Sequence, residues 1–135
     1  MQLFDEVHAL YQEVYITQKI AEEFQLALPE WILIHEPGNV HVRSVLSFIL
    51  DAGEASAIAL AYDFKNVILI IDDLKARKEA IRLGFKVTGT LGVLLRLKNE
   101  GLIISIKQKI FQLRDVGFRI SPEIIDEILK NANEI

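Results

Sequence analysis

The sequence predicts an α/β protein: a sandwich built on a mainly parallel sheet flanked by helices. Three observations carry this. Short apolar strands are separated by helical segments along the whole chain, the pattern that builds parallel sheets through helical crossovers. One run, Val67 to Ile71, is apolar at every position, as expected of a strand covered on both faces. The chain has 135 residues, 51% of them apolar, which suits one compact domain over 1–135 with a filled core.

Each element has a local reason. Leu3, Val7, Leu10 and Tyr11 fall at helical spacing, so Leu3 to Tyr11 reads as a helix. Glu13 to Ile16 alternates as a short strand. Thr17 then offers an N-cap to a short helix completed by Ile20 to Phe24. Pro29 breaks the chain before a strand over Trp31 to His35, with Trp31 read as core, and Pro37-Gly38-Asn39 ends that strand. Val42, Val45, Leu46 and Ile49 share one face of a helix over Val42 to Leu50. The Asp51-Ala52-Gly53 break separates it from an alanine-rich helix over Gly53 to Phe64. After the Val67 strand, a helix runs from Leu74 to Leu83 and stops at Gly84. A strand over Phe85 to Val87 follows. Further helices span Gly89 to Lys98 and Ile106 to Val116, and one beginning at Ser121-Pro122 runs to Asn131, with a cap and then proline at the first helical position. The chain shows no repeat, low-complexity tract or linker.

Composition excludes several function classes. No cysteine is present, so disulfides, thiolate catalysis and thiolate metal sites are ruled out. The longest apolar run is far shorter than the roughly 20 residues of a membrane span, so no membrane partner is expected. The first residues lack the basic-then-apolar pattern of a secretory signal, and a cytoplasmic location is the default expectation. Mean hydropathy is high, at +0.28, and leaves apolar surface for a partner. Charge is unevenly placed. Leu74 to Arg119 holds eleven Lys/Arg against three acids, a balance of +8, whereas the rest holds four bases against sixteen acids, a balance of −12. An acidic part beside a basic one fits a cation site flanked by a polyanion-binding surface, and equally fits solvated basic helices.

Ligands of open α/β sheets bind outside the carboxyl ends of the strands. Asp72 and Asp73 stand at such an end. Asp73 fits a helix N-cap for the Leu74 segment; Asp72 beside it calls for a nearby cation or base, which Arg77 could supply. Glu54 lies in the first turn of the Gly53 helix, a position the helix dipole alone favours, and Asp51 fits its cap. Glu22 and Glu23 close the helix after Thr17, where acids are mildly unfavourable. Carboxylates from separate elements without cysteine make a hard-oxygen site suited to Mg²⁺ or Mn²⁺, and such sites hydrolyse phosphodiesters. Thr88-Gly89-Thr90-Leu91-Gly92 could present amides to a phosphate at a helix start, or Thr90 could simply cap. It lacks the Lys-Ser/Thr of a P-loop, so triphosphatase chemistry is not expected. His8, His35 and His41 have no metal-ligand spacing and read as surface or cap residues.

These residues also form an ordered set that resembles a known family. Leu50 to Ala61 (LDAGEASAIALA), Ile70 to Arg77 (IIDDLKAR) and Gly89 to Ile103 (GTLGVLLRLKNEGLI) resemble the PIN-domain superfamily. The match is to its subfamily of nucleic-acid-binding proteins often regarded as toxins of type II toxin–antitoxin pairs. Ile20 to Phe24 and Leu28 to Trp31 look like the same family, and the likeness covers nearly the whole chain. The resemblance implies a three-layer sandwich and a metal-dependent ribonuclease that leaves a 5′-phosphate. It implies that Glu23, Glu54 and Asp72, with Asp73 beside the last, hold one or two Mg²⁺ or Mn²⁺ ions. Arg77 matches a basic position near the site, and Thr88 and Thr90 are the candidate substrate contacts. Single-stranded or structured RNA, an antitoxin protein and a second copy of the chain in a homodimer are the implied partners.

One departure stands out. The family opens with a strand ending in Asp-Thr-Ser or Asp-Thr-Asn whose aspartate is the first ligand. Here Met1 falls in the helix after that strand, and no Asp-Thr pair occurs anywhere. The expectation is therefore a PIN-like domain with its first strand absent. Three explanations are open: a start that is truncated, a natural remnant without nuclease activity, or a gap filled by a second copy. The rival reading is a non-catalytic remnant that binds RNA, itself or an antitoxin-like partner.

Overall fold

The computed structural model describes residues 5–24, 28–115, 122–131 and 134, apart from the side chains of Leu113 and Ile124. In chain order the elements are α1 (Asp5–Tyr11), β1 (Val14–Ile16), α2 (Gln18–Glu23), β2 (Ile32–Ile34), α3 (Val40–Leu46), α4 (Ala52–Ala61), β3 (Ile68–Ile70), α5 (Leu74–Arg82), β4 (Lys86–Thr88), α6 (Thr90–Asn99), α7 (Ile106–Asp115) and α8 (Pro122–Asn131). The expected helix start at Leu3, helix end at Val116 and cap at Ser121 lie outside the described residues. Residues 13–90 make one compact unit; residues 1–12 with 91–135 make another.

The four strands among the described residues lie in the first unit, as two parallel pairs. β1 runs beside β2, with Val14 opposite Ile32 and Ile16 opposite Ile34. β3 runs beside β4, with Ile68 opposite Lys86 and Ile70 opposite Thr88. Parallel neighbours need a crossover, and helices α2 and α5 supply it. The core gathers Leu46, Leu50, Ala55, Ile58, Ala61, Leu69, Ile71, Ala76 and Ala80, with Phe85 and Val87 packed against it. Helix α4 is buried along most of its length, because its alanines let neighbours approach on every side. β3 departs from the doubly covered strand its sequence suggests. Leu69 and Ile71 are buried, while Ile68 and Ile70 remain 40% and 43% exposed. Side chains alternate across a strand, so the residues on the α4–α5 side enter the core and their neighbours do not.

Local capping sets the helix starts. Thr17 accepts from the Ile20 amide at 3.2 Å, Asp51 from Glu54 at 3.0 Å and Asp73 from Ala76 at 2.9 Å. Helix α3 differs from its expected span: it begins at Val40 and ends at Leu46. The Asn39 carboxamide accepts from the His41 and Val42 amides, so the residue that ends one turn also starts the next helix. At the other end, the Ser47 hydroxyl donates back to the Arg43 carbonyl at 2.8 Å.

A buried polar relay joins α2 to α4. The Ser56 hydroxyl donates to the Gly53 carbonyl at 2.7 Å. The Thr17 and Ser56 hydroxyls lie 2.7 Å apart, so Thr17 donates to Ser56 while accepting from Ile20. Both side chains are fully buried and every hydroxyl is satisfied.

The second unit is helical. Val93, Leu94, Leu97, Ile106, Ile110, Ile125 and Ile128 form its core, with Val7, Leu10 and Tyr11 of α1 packed against them. Lys109 pairs with Glu6 at 2.7 Å, tying α7 to α1. The Glu134 carboxylate accepts from Lys98 Nζ, Ser105 Oγ and the amides of Ile106 and Lys107. Burial pushes this carboxyl up, but Lys98 and the three other donors outweigh it and hold it at about 2.

Two predictions follow from these contacts. Thr17→Val keeps the shape but removes the relay and the α2 cap; urea unfolding should show a loss of about 1–3 kcal/mol, and an unchanged midpoint would contradict the relay's role. Glu134 ionises at about 4.5 when unfolded and about 2 when folded. Its contribution is thus present at neutral pH and lost as pH falls through that window. Glu134→Gln should lower the urea midpoint at neutral pH and flatten the acid limb between those values. Superimposable acid limbs would show that the carboxylate contributes nothing.

Candidate active site

Five carboxylates from three regions of the first unit border one open cleft of about 240 Å³: Glu23 at the end of α2, Asp51 and Glu54 at the start of α4, and Asp72 and Asp73 after β3. Ile20, Ala57 and Ile70 supply its apolar wall. The Thr17–Ser56 relay brings the first two regions together, and the packing of Leu69 and Ile71 on the α4 core brings the third. All four acids expected at the site, Glu23, Glu54, Asp72 and Asp73, therefore share the cleft. Asp51 joins them in addition to capping α4.

Two glycines leave room for two of the carboxylates. A methyl group at Gly53 would lie 2.8 Å from Glu23 Oε2 and 3.1 Å from Oε1. A methyl group at Gly89 would lie 2.9 Å from Asp72 Oδ1 and 3.7 Å from Arg77 Nη1. The Arg77 guanidinium and the Asp72 carboxylate thus border the same glycine. Thr90 does not cap with its own side chain. It opens α6, and both its amide and its hydroxyl donate to Asp72, at 2.7 and 2.6 Å. Thr88 is half-buried at the end of β4, its hydroxyl 3.5 Å from the Gly89 carbonyl. His35 packs edge-on near Tyr15 and Phe64, and His41 lies in the first turn of α3; neither lines the cleft.

The electrostatics record the crowding of acids. The Glu54 carboxyl is raised to about 7 by burial, then by the charges of Asp51 and Asp73, a hydrogen bond with Asp51 and the charge of Glu23. A carboxyl that holds its proton near neutrality beside four other acids marks excess negative charge that a cation would relieve. The donors are all hard oxygens, the type that suits Mg²⁺ or Mn²⁺. Among the described residues no three His, Asp or Glu side chains converge closely enough to enclose an ion. The donor chemistry and the glycine-made room fit a divalent cation; the acids line the cleft without closing on one point.

The folded chain keeps the Glu54 proton up to about 7, whereas the unfolded chain releases it near 4.5. The folded state is thus favoured below that window, and stability falls as pH rises through it. In metal-free buffer, wild type should lose more stability than Glu54→Gln between about pH 5 and pH 8. Parallel urea midpoints across that range would contradict the assignment.

Comparison with curated proteins and with solved structures finds no match. No helix among the described residues is long and apolar enough to cross a membrane. The DUF3368 family model, described as a PIN domain, matches residues 1–134. The parallel strand pairs and the intervening helices agree with that assignment. The chain belongs to the DUF3368 family of PIN domains, a nuclease-type fold.

Proposed function

We propose that this chain is a Mg²⁺- or Mn²⁺-dependent ribonuclease of the PIN type, acting on single-stranded or structured RNA as the toxin of a toxin–antitoxin pair. The observation that supports this most is the gathering of Glu23, Glu54 and Asp72 on one cleft, with Gly53 and Gly89 leaving space where methyl groups would strike two of the carboxylates. PIN domains are generally dependent on divalent metal. Glu23, Glu54 and Asp72 would hold the ion, which would supply charge neutralisation at the phosphate and activation of water.

The chain's own groups divide the remaining work. Arg77, which borders Gly89 together with Asp72, would meet a non-bridging phosphate oxygen with a planar pair of donors. Glu54, raised to about 7 by burial and neighbouring acids in the metal-free cleft, would give up its proton to hold the ion. The basic residues of α5, Lys75, Lys78 and Arg82, are exposed and would meet the RNA backbone. An antitoxin-like protein and a second copy of the chain are the proposed protein partners.

A second reading is RNA binding without cleavage. It is favoured by the absence, among the described residues, of three side chains closed around an ion. Cleavage of a labelled single-stranded RNA with Mn²⁺ separates the two. Wild type should cleave, and Asp72→Asn should lose on the order of 100-fold or more, as expected when a group acting on the transition state is removed. RNA binding without metal-dependent cleavage by either protein would favour the second reading.

A further inference from the structure

We propose that Thr90 is a positioning residue of the site, holding the Asp72 carboxylate in the orientation that receives the cation. The inference rests on the reading of Asp72 as a metal ligand. The strand register supplies the geometry. β3 and β4 run parallel with Ile70 opposite Thr88, and the Ile71 amide donates to the Thr88 carbonyl at 2.8 Å. Two residues further along each strand, Asp72 and Thr90 meet. Thr90 Oγ1 donates to Asp72 Oδ2 at 2.6 Å, and Thr90 N donates to Asp72 Oδ1 at 2.7 Å. One residue therefore grips both oxygens. Charged acceptors make such bonds short and strong, and two points of attachment fix the carboxylate plane as well as its place.

Three details favour positioning over blocking. An ionised carboxylate has about four acceptor directions, and Thr90 uses one on each oxygen, so each keeps a second for the cleft it shares with Glu23 and Glu54. Threonine is branched at Cβ and restricted in its first torsion, so its hydroxyl is a stiff donor. Gly89, between the strand and Thr90, allows the approach: a methyl group there would lie 2.9 Å from Asp72 Oδ1. Hydrogen bonds that orient metal-ligating carboxylates commonly carry 10–100-fold of the affinity.

A purely structural role is also served, because the Thr90 amide is one of the unpaired donors at the start of α6. Metal affinity separates the two roles. The full chain, with Asp72→Asn, Thr90→Val and Thr90→Ser variants, is titrated with Mn²⁺, and free ion is read by electron paramagnetic resonance. Urea midpoints are measured in parallel. Wild type should bind and Asp72→Asn should not. Thr90→Val should bind about 10–100-fold more weakly, and Thr90→Ser, which restores the hydroxyl without the Cβ branch, should recover most of that affinity. Thr90→Val with wild-type affinity, beside a defective Asp72→Asn, overturns the positioning role while leaving the metal reading intact. Thr90→Ser as weak as Thr90→Val also overturns it, since the hydroxyl would then not be the active group. No binding by wild type, or full binding by Asp72→Asn, overturns the metal reading and the proposal with it.

Discussion

The site depends on a short chain of hydrogen bonds inside the first unit. Ile20 donates to Thr17, Thr17 to Ser56, and Ser56 to the Gly53 carbonyl, the last two bonds buried from water. This relay does more than cap α2. It fixes where α2 begins relative to where α4 begins, and those helices carry Glu23 and Glu54. Desolvated hydroxyls tolerate few alternatives, because a slipped arrangement would leave one of them unpaired. The apolar packing of α4 against β3 then brings the Asp72–Asp73 strand end into the same cleft.

Once that geometry is imposed, the acids have little freedom to avoid each other. Asp51 and Asp73 are needed as caps, and burial together with their charges raises Glu54 toward neutrality. Glu23 stands against Gly53, and Asp72 is gripped by Thr90 and stands against Gly89. A fold serving stability alone gains nothing from such crowding, since it opposes ionisation at one of the five carboxyls. Under the proposed function, a cation entering the cleft would offset this crowding.

Much of this was legible along the chain because it is local. Thr17, Asp51 and Asp73 announce helix starts by their own side chains, and the strand before Asp72 is set by an unbroken apolar run. The four expected acids share one cleft because each sits at the end of an element that the pattern defines. The bounds of α3 were less legible, because Asn39 reads as the end of a turn until its carboxamide is seen to cap His41 and Val42. The exposure of Ile68 and Ile70 could not be read from a run that is apolar throughout. Contacts between distant residues left no trace at all: Thr90 meets Asp72 across 18 positions, and Glu134 reaches the start of α7 from the chain's far end. Sequence distance hides such pairs, since only strand register or helix packing makes them neighbours.

The cleft of Glu23, Glu54 and Asp72 is proposed as a cation site. Anomalous X-ray scattering from a crystal of the full chain soaked in Mn²⁺ addresses it most directly. A manganese peak is expected in this cleft, with carboxylate oxygens of those residues as its ligands. A cleft without a peak at a concentration that saturates Mn²⁺ binding in solution, or a peak held by other residues, would contradict it.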